Sequence, residues 1–210
     1  MVPEHKQVRF GKAQFYLNRL GARGQEPGGM RFTRRALALW GKVGVSCSGM
    51  QDGTVYLRPQ IMPISKEAIP GALAKAERYR FINEPLQAES ICRDVLAADP
   101  TNTAARIMLI LSLTDQFEHG VNTKEALQMV ELLPTEYQRA YYSGIVYERN
   151  AIALFRRRED HRSRREVYRL FQIAMESYRQ AKEIRPPDND DSVLRWNACV
   201  RFLERNWGFQ

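Results

Sequence analysis

Apolar residues in the last two thirds of the chain recur at helical spacing. Ala140, Gly144, Tyr147, Ala151 and Phe155 fall on one stripe, and Val167, Leu170, Phe171, Ala174, Tyr178 and Ala181 form a second. Stripes of this kind mark helices that bury one face. They predict a hairpin of two long helices with a tip near residues 156–165, where Ser163 is available as an N-cap. A shorter helix is expected after Asn122 or Thr123, with Glu125 reaching back to close a capping box and Pro134 marking its limit. A last helix, from about 190 to 205, carries Val193, Trp196, Val200 and Leu203 on its buried face. Before Met62 the pattern changes, and no window sustains a helical period for more than about two turns.

Charge and glycine follow the same boundary. The chain has 210 residues and a formal charge of +8. Residues 1–61 hold ten of the 32 Lys and Arg residues but three of the 24 acids, together with nine of the 13 glycines. This reads as a basic, Gly-rich, irregular and disordered extension, followed by a folded domain over 62–210. Three accounts of the extension stand beside one another. It is a basic tail that touches nucleic acid or an acidic surface, an export leader, or a segment upstream of a true start at Met62. The export account rests on Thr33-Arg34-Arg35 before Ala36-Leu37-Ala38-Leu39-Trp40, which resembles a twin-arginine signal, although Lys42 and glycines interrupt the apolar core.

Several rows of residues in the second part obey one period of 34. Ala76, Ile110 and Gly144 form one row, Tyr79, Leu113 and Tyr147 another, and Pro100 and Pro134 a third. The pattern resembles the tetratricopeptide repeat, a helix-turn-helix in which a small residue lets paired helices approach and a proline closes the unit. The resemblance covers about residues 66–206. Repeat one spans 69–102, with Ala88 at a further small position; repeat two, 103–136, is degenerate at Ile110 and Asn122; repeat three is lengthened, closing at Pro186. Gly144 is expected at a close helix approach, where leucine overpacks and alanine is tolerated better. The last helix resembles the first helix of a fourth repeat, capping the array and burying Cys199 as a small hydrophobe.

The resemblance implies an all-α fold, a right-handed superhelical array of antiparallel helix pairs with a C-terminal capping helix. It also implies a concave groove lined by the first helix of each pair. Carried over by position, the groove holds Leu73, Glu77, Arg80 and Phe81, then Ile107, Leu111, Thr114 and Asp115, then Gln138, Tyr141, Ile145, Glu148 and Arg149. Its apolar middle and mixed border suit a helix or peptide with apolar anchors, and it lacks the carboxylate clamp of the family's chaperone-binding members. Ile107, Leu111 and Ile145 have a second reading as plain core. Tyr141 and Tyr142 are adjacent, so one of them is expected to face away from the core.

The expected function is therefore a non-catalytic scaffold for an unidentified protein or peptide. The alternative is an RNA- or acidic-surface-associated protein that uses the basic leader and the hairpin-tip arginines Arg156, Arg157, Arg158, Arg162, Arg164 and Arg165. Enzyme readings rank lowest, because HExxH, GxSxG and phosphate-loop motifs are absent and His5, His119 and His161 show no metal-ligand spacing. No cofactor is expected. Three widely spaced cysteines, Cys47, Cys92 and Cys199, favour a reducing cytoplasm over a disulfide framework. The longest apolar run, 107–111, is far short of the roughly 20 residues that cross a bilayer.

Overall fold

The structure is a computed structural model that describes residues 45–51, 54–157 and 161–207. The chain divides into two units, Met1–Met62 and Pro63–Gln210. In the first unit the described residues form a two-stranded antiparallel hairpin, β1 (Val45–Gln51) and β2 (Thr54–Pro59), with Val45 opposite Pro59 and Gln51 opposite Thr54. These strands fall within the stretch read from sequence as an irregular, disordered extension, whose residues 1–44 lie outside the described residues. Val45 and Cys47 on one side and Val55 and Leu57 on the other alternate at the strand period, with Asp52-Gly53 between them, a dipeptide preferred in hairpin connections. The high glycine count masked that signal. The twin-arginine stretch lies outside the described residues.

The second unit is all-helical. Its α-helices are α1 (Ile69–Phe81), α2 (Pro85–Ala98), α3 (Thr103–Thr114), α4 (Thr123–Glu131), α5 (Glu136–Arg157), α6 (His161–Glu183) and α7 (Asp191–Trp207). Local chemistry places the boundaries. Prolines 70 and 85 open α1 and α2, where a missing N–H costs nothing. Asn83, at φ 61°, turns the chain between them. Asn102 accepts from Ala105 N at 2.9 Å to cap α3, and Asn122 accepts from Lys124 N at 2.8 Å to cap α4. Helix α4 is short and stops before Pro134, as the sequence predicts. Glu125 departs from the expected capping box and pairs instead with Arg93 of α2 at 2.7 Å. Ser163 lies in the first turn of α6, which starts at His161, so it is not the N-cap.

Each helix packs on the next, and α3 also touches α1 and α5. The buried residues form two main clusters. One centres on Leu109, Leu113, Phe117 and Val130, and the other on Val167, Phe171, Tyr178 and Leu203. Ala76, Ile110 and Gly144 are all buried, so the row at period 34 marks interior positions. At Gly144 a Cβ would fall 2.7 and 2.8 Å from ring carbons of Tyr178. Contact is therefore so close that even alanine displaces the ring, which narrows the tolerance expected for that substitution. Helix α7 begins and ends near its predicted bounds, but it turns Ser192, Cys199 and Leu203 inward most fully, leaving Val193, Trp196 and Val200 half-buried. Among the described residues no helix is long and apolar enough to cross a membrane.

Candidate functional site

The residues assigned to the groove divide into three groups. Ile145 and Glu148 are covered, at 2% and 5% exposure, and so cannot meet a partner directly. The cause is α7: Ile145 shares a cluster with Cys199 and Leu203, and Glu148 bonds to Arg195 at 3.2 Å. Tyr178 donates from its hydroxyl to Glu148 Oε2 at 2.5 Å. One buried carboxylate thus joins α5, α6 and α7, and burial pushes the Tyr178 phenol well above its ordinary range, an effect the Glu148 charge reinforces.

A second group is polar and pairs internally. Arg80 of α1 bonds to Asp115 Oδ2 at 2.7 Å, and Arg149 of α5 reaches Asp115 Oδ1 and Thr114 Oγ1. Asp115, just past α3, therefore holds three helices through two guanidinium groups. A pocket of ≈ 520 Å³ opens there, lined also by Glu118, His119 and Arg156, with Arg156 paired to Glu118. The resemblance assigned Arg80, Asp115 and Arg149 to one groove, and the structure joins both arginines to Asp115.

The apolar members behave differently from one another. Leu73, Ile107 and Leu111 are half-buried and pack against separate clusters, so they lie at the margin between core and surface. Glu77 is exposed, and Phe81 is 82% exposed at the end of α1. Tyr141 and Tyr142 are both half-buried, each partly covered by its neighbours, and their rings meet edge to face at 5.1 Å.

Tyr141 belongs to a second concave feature. A pocket of ≈ 680 Å³ is formed by the first turns of α5 and by the segment joining α6 to α7. Tyr137, Tyr141 and Tyr142 supply its aromatic wall, with Tyr137 and Tyr141 stacked at 5.8 Å and 8°. Tyr137 donates to Asn189 Oδ1 at 2.9 Å, which also accepts from Asp191 N at 3.0 Å and so ties the wall to the start of α7. Burial raises all three phenols, that of Tyr142 to about 12, and the nearby Asp191 charge adds to each shift. Gln138 Oε1 is buried at this site without a hydrogen-bond partner among the described residues. Sequence reasoning identified Gln138 and Tyr141 but missed Tyr137, Asn189 and Asp191. A signal existed in the cluster of three tyrosines within six residues, 137–142.

The five described tip arginines are exposed, and three of them make interactions of their own. Arg156 is paired, Arg157 donates to Ala153 O at 3.3 Å, and Arg164 donates to Asn206 O at 3.0 Å while lying 5.5 Å over the Trp207 ring. Arg162 and Arg165 are exposed and line a shallow recess with Glu166 and Arg169, while Arg158 lies outside the described residues. Among the described residues no group of three or more His, Cys, Asp or Glu side chains is placed to hold a metal ion. No family model, curated protein or solved structure matches this chain.

Proposed function

We propose that residues 63–210 form a tetratricopeptide-like array, a right-handed superhelix of antiparallel helix pairs capped by α7, that binds a segment of another protein without catalysing a reaction on it. The repeat reading is supported by the burial of Ala76, Ile110 and Gly144 at one period and by the contacts of α3 with both α1 and α5. The binding reading rests on one observation above all: a tyrosine-walled pocket of ≈ 680 Å³ at the N-terminal end of α5. Stiff aromatic rings offer a partner large contact area at low entropic cost. The Arg80, Asp115 and Arg149 cluster lies further along the same row of positions and orients a partner more than it holds one. Cys92 and Cys199 are unpaired thiols, which favours a reducing, cytoplasmic setting.

The test is affinity capture with the full-length chain, comparing wild type with Tyr141→Ala and Gln138→Lys. Both variants are expected to lose the same partners while keeping helical circular dichroism, with Tyr141→Ala weakening binding by about 2 kcal/mol. Recovery of identical partners by both folded variants refutes the scaffold reading.

A further inference from the structure

The tyrosine pocket has an unusual balance of hydrogen-bonding groups. Gln138 Oε1 is a buried acceptor with no donor, and the carboxylates of Glu136 and Asp191, both lining the pocket, form no ion pair among the described residues. Arg185, which itself lines the pocket, and Arg195, beside Tyr141, are both engaged. Arg185 pairs with Asp190 at 2.8 Å, and Arg195 with Glu148 at 3.2 Å. What lines the cavity is two exposed carboxylates without an ion-pair partner among the described residues and the rings of three tyrosines, whose faces carry negative potential, while Gln138 Oε1 is closed off from solvent.

A ligand that complements such a surface must be cationic, rich in donors and able to lie against an aromatic ring. An arginine side chain meets all three conditions, since its guanidinium is planar and offers five N–H groups. Lysine meets them less fully because its ammonium is compact and strongly hydrated. A quaternary ammonium has no N–H for the Glu136 and Asp191 carboxylates, and an acidic peptide or a nucleic-acid phosphate would meet them with like charge. We propose that this pocket takes an arginine side chain presented by a bound protein segment, which rests on the scaffold reading above and specifies its partner's chemistry. The cavity is larger than one side chain requires, so flanking backbone enters with it.

The experiment uses the full-length chain with isotope-labelled tyrosine rings, followed by NMR. The probes are the N-acetyl methylamides of arginine, lysine, trimethyllysine and glutamate. Arginine is expected to shift the Tyr137, Tyr141 and Tyr142 ring signals saturably, lysine about tenfold more weakly, and the other two not at all. Glu136→Gln combined with Asp191→Asn should weaken arginine binding by about tenfold without altering helix content. Equal response to glutamate, undiminished binding by the double variant, or trimethyllysine binding as tightly as arginine overturns the proposal. Concentration-dependent dimerisation that perturbs the same rings without any probe also overturns it, by assigning the pocket to a second copy of the chain. If arginine fails while Tyr141→Ala still loses its partners, only the ligand assignment falls. If arginine binds while capture is unaffected, the scaffold reading falls instead.

Discussion

Replacing Gly144 by alanine tests a close approach between α5 and α6 in the second unit. A Cβ there would lie 2.7 and 2.8 Å from ring carbons of Tyr178, whereas carbon atoms pack at about 3.5–4.0 Å, so the ring must withdraw by about 1 Å. Two features oppose withdrawal. The ring is 1% exposed, enclosed by α5, α6 and α7, and its hydroxyl is held by Glu148 at 2.5 Å. Overpacking of this kind costs about 1–3 kcal/mol, and straining a hydrogen bond to a charged acceptor adds up to about 1.5 kcal/mol. Against these stands a gain of about 1 kcal/mol, because alanine is the better helix former. The net expectation is a loss of about 0–3.5 kcal/mol for Gly144→Ala, with Gly144→Leu worse.

Urea unfolding followed by helix circular dichroism measures the change, provided the slope stays constant between variants. Tyr178→Phe supplies the second arm, since it frees the ring from Glu148 while Arg195 still pairs that carboxylate. In the Tyr178→Phe background the alanine substitution should cost about 1 kcal/mol less than in wild type. A Gly144→Ala protein more stable than wild type by about 1 kcal/mol, the value propensity alone gives, would refute the close approach and with it the reading of Gly144 as a spacing residue.

Asp115→Ala leaves Arg80 and Arg149 beside each other without their shared anion, so stability should fall by about 1–3 kcal/mol, with part recovered on adding Arg80→Ala; urea midpoints decide it. Asn122→Ala removes the α4 cap and should cost about 1 kcal/mol, while Glu125→Ala should cost only a few tenths because its partner Arg93 is exposed; similar losses would restore the capping box. Burial pushes the Cys92 and Cys199 thiols from 9.0 to about 12 and the Tyr142 phenol from 10.0 to about 12. The unfolded chain therefore releases these protons first, so stability should hold at neutral pH and fall as pH rises from about 9 toward 12, read as a declining urea midpoint.

What the sequence revealed and what it hid follow from one distinction. Features set by a chain's own neighbours were legible. The stripes around Gly144 and Ala174 gave two long helices, Pro134 limited α4, and Asn122 marked a cap. Features set by a distant element were not. Ile145 and Glu148 occupy groove positions in the repeat register, yet α7 covers both, and no local pattern on α5 shows how far a helix some 40 residues later will reach across it. The repeat register assigned Arg80, Asp115 and Arg149 to one groove, but their pairing through Asp115 depends on side-chain reach across three helices. The tyrosine pocket is the extreme case, because its far wall is the irregular segment containing Arg185, Pro186 and Asn189. Loop residues carry no period from which position can be read.

Helix α7 has two roles that the geometry makes inseparable. A buried carboxylate bonded by Tyr178 and Arg195 contributes little net stability, because desolvation offsets most of the attraction. Such a group does fix orientation, since a displaced α7 would leave Glu148 buried with only one partner. The same helix begins at Asp191, beside Asn189, whose amide oxygen accepts from the Tyr137 hydroxyl. Its register therefore sets both the closure of the core and the distance between the tyrosine wall and the acidic rim. Without α7, Ile145 would lose its cover and the pocket would lose Asp191, so this helix both closes the core and walls the tyrosine pocket.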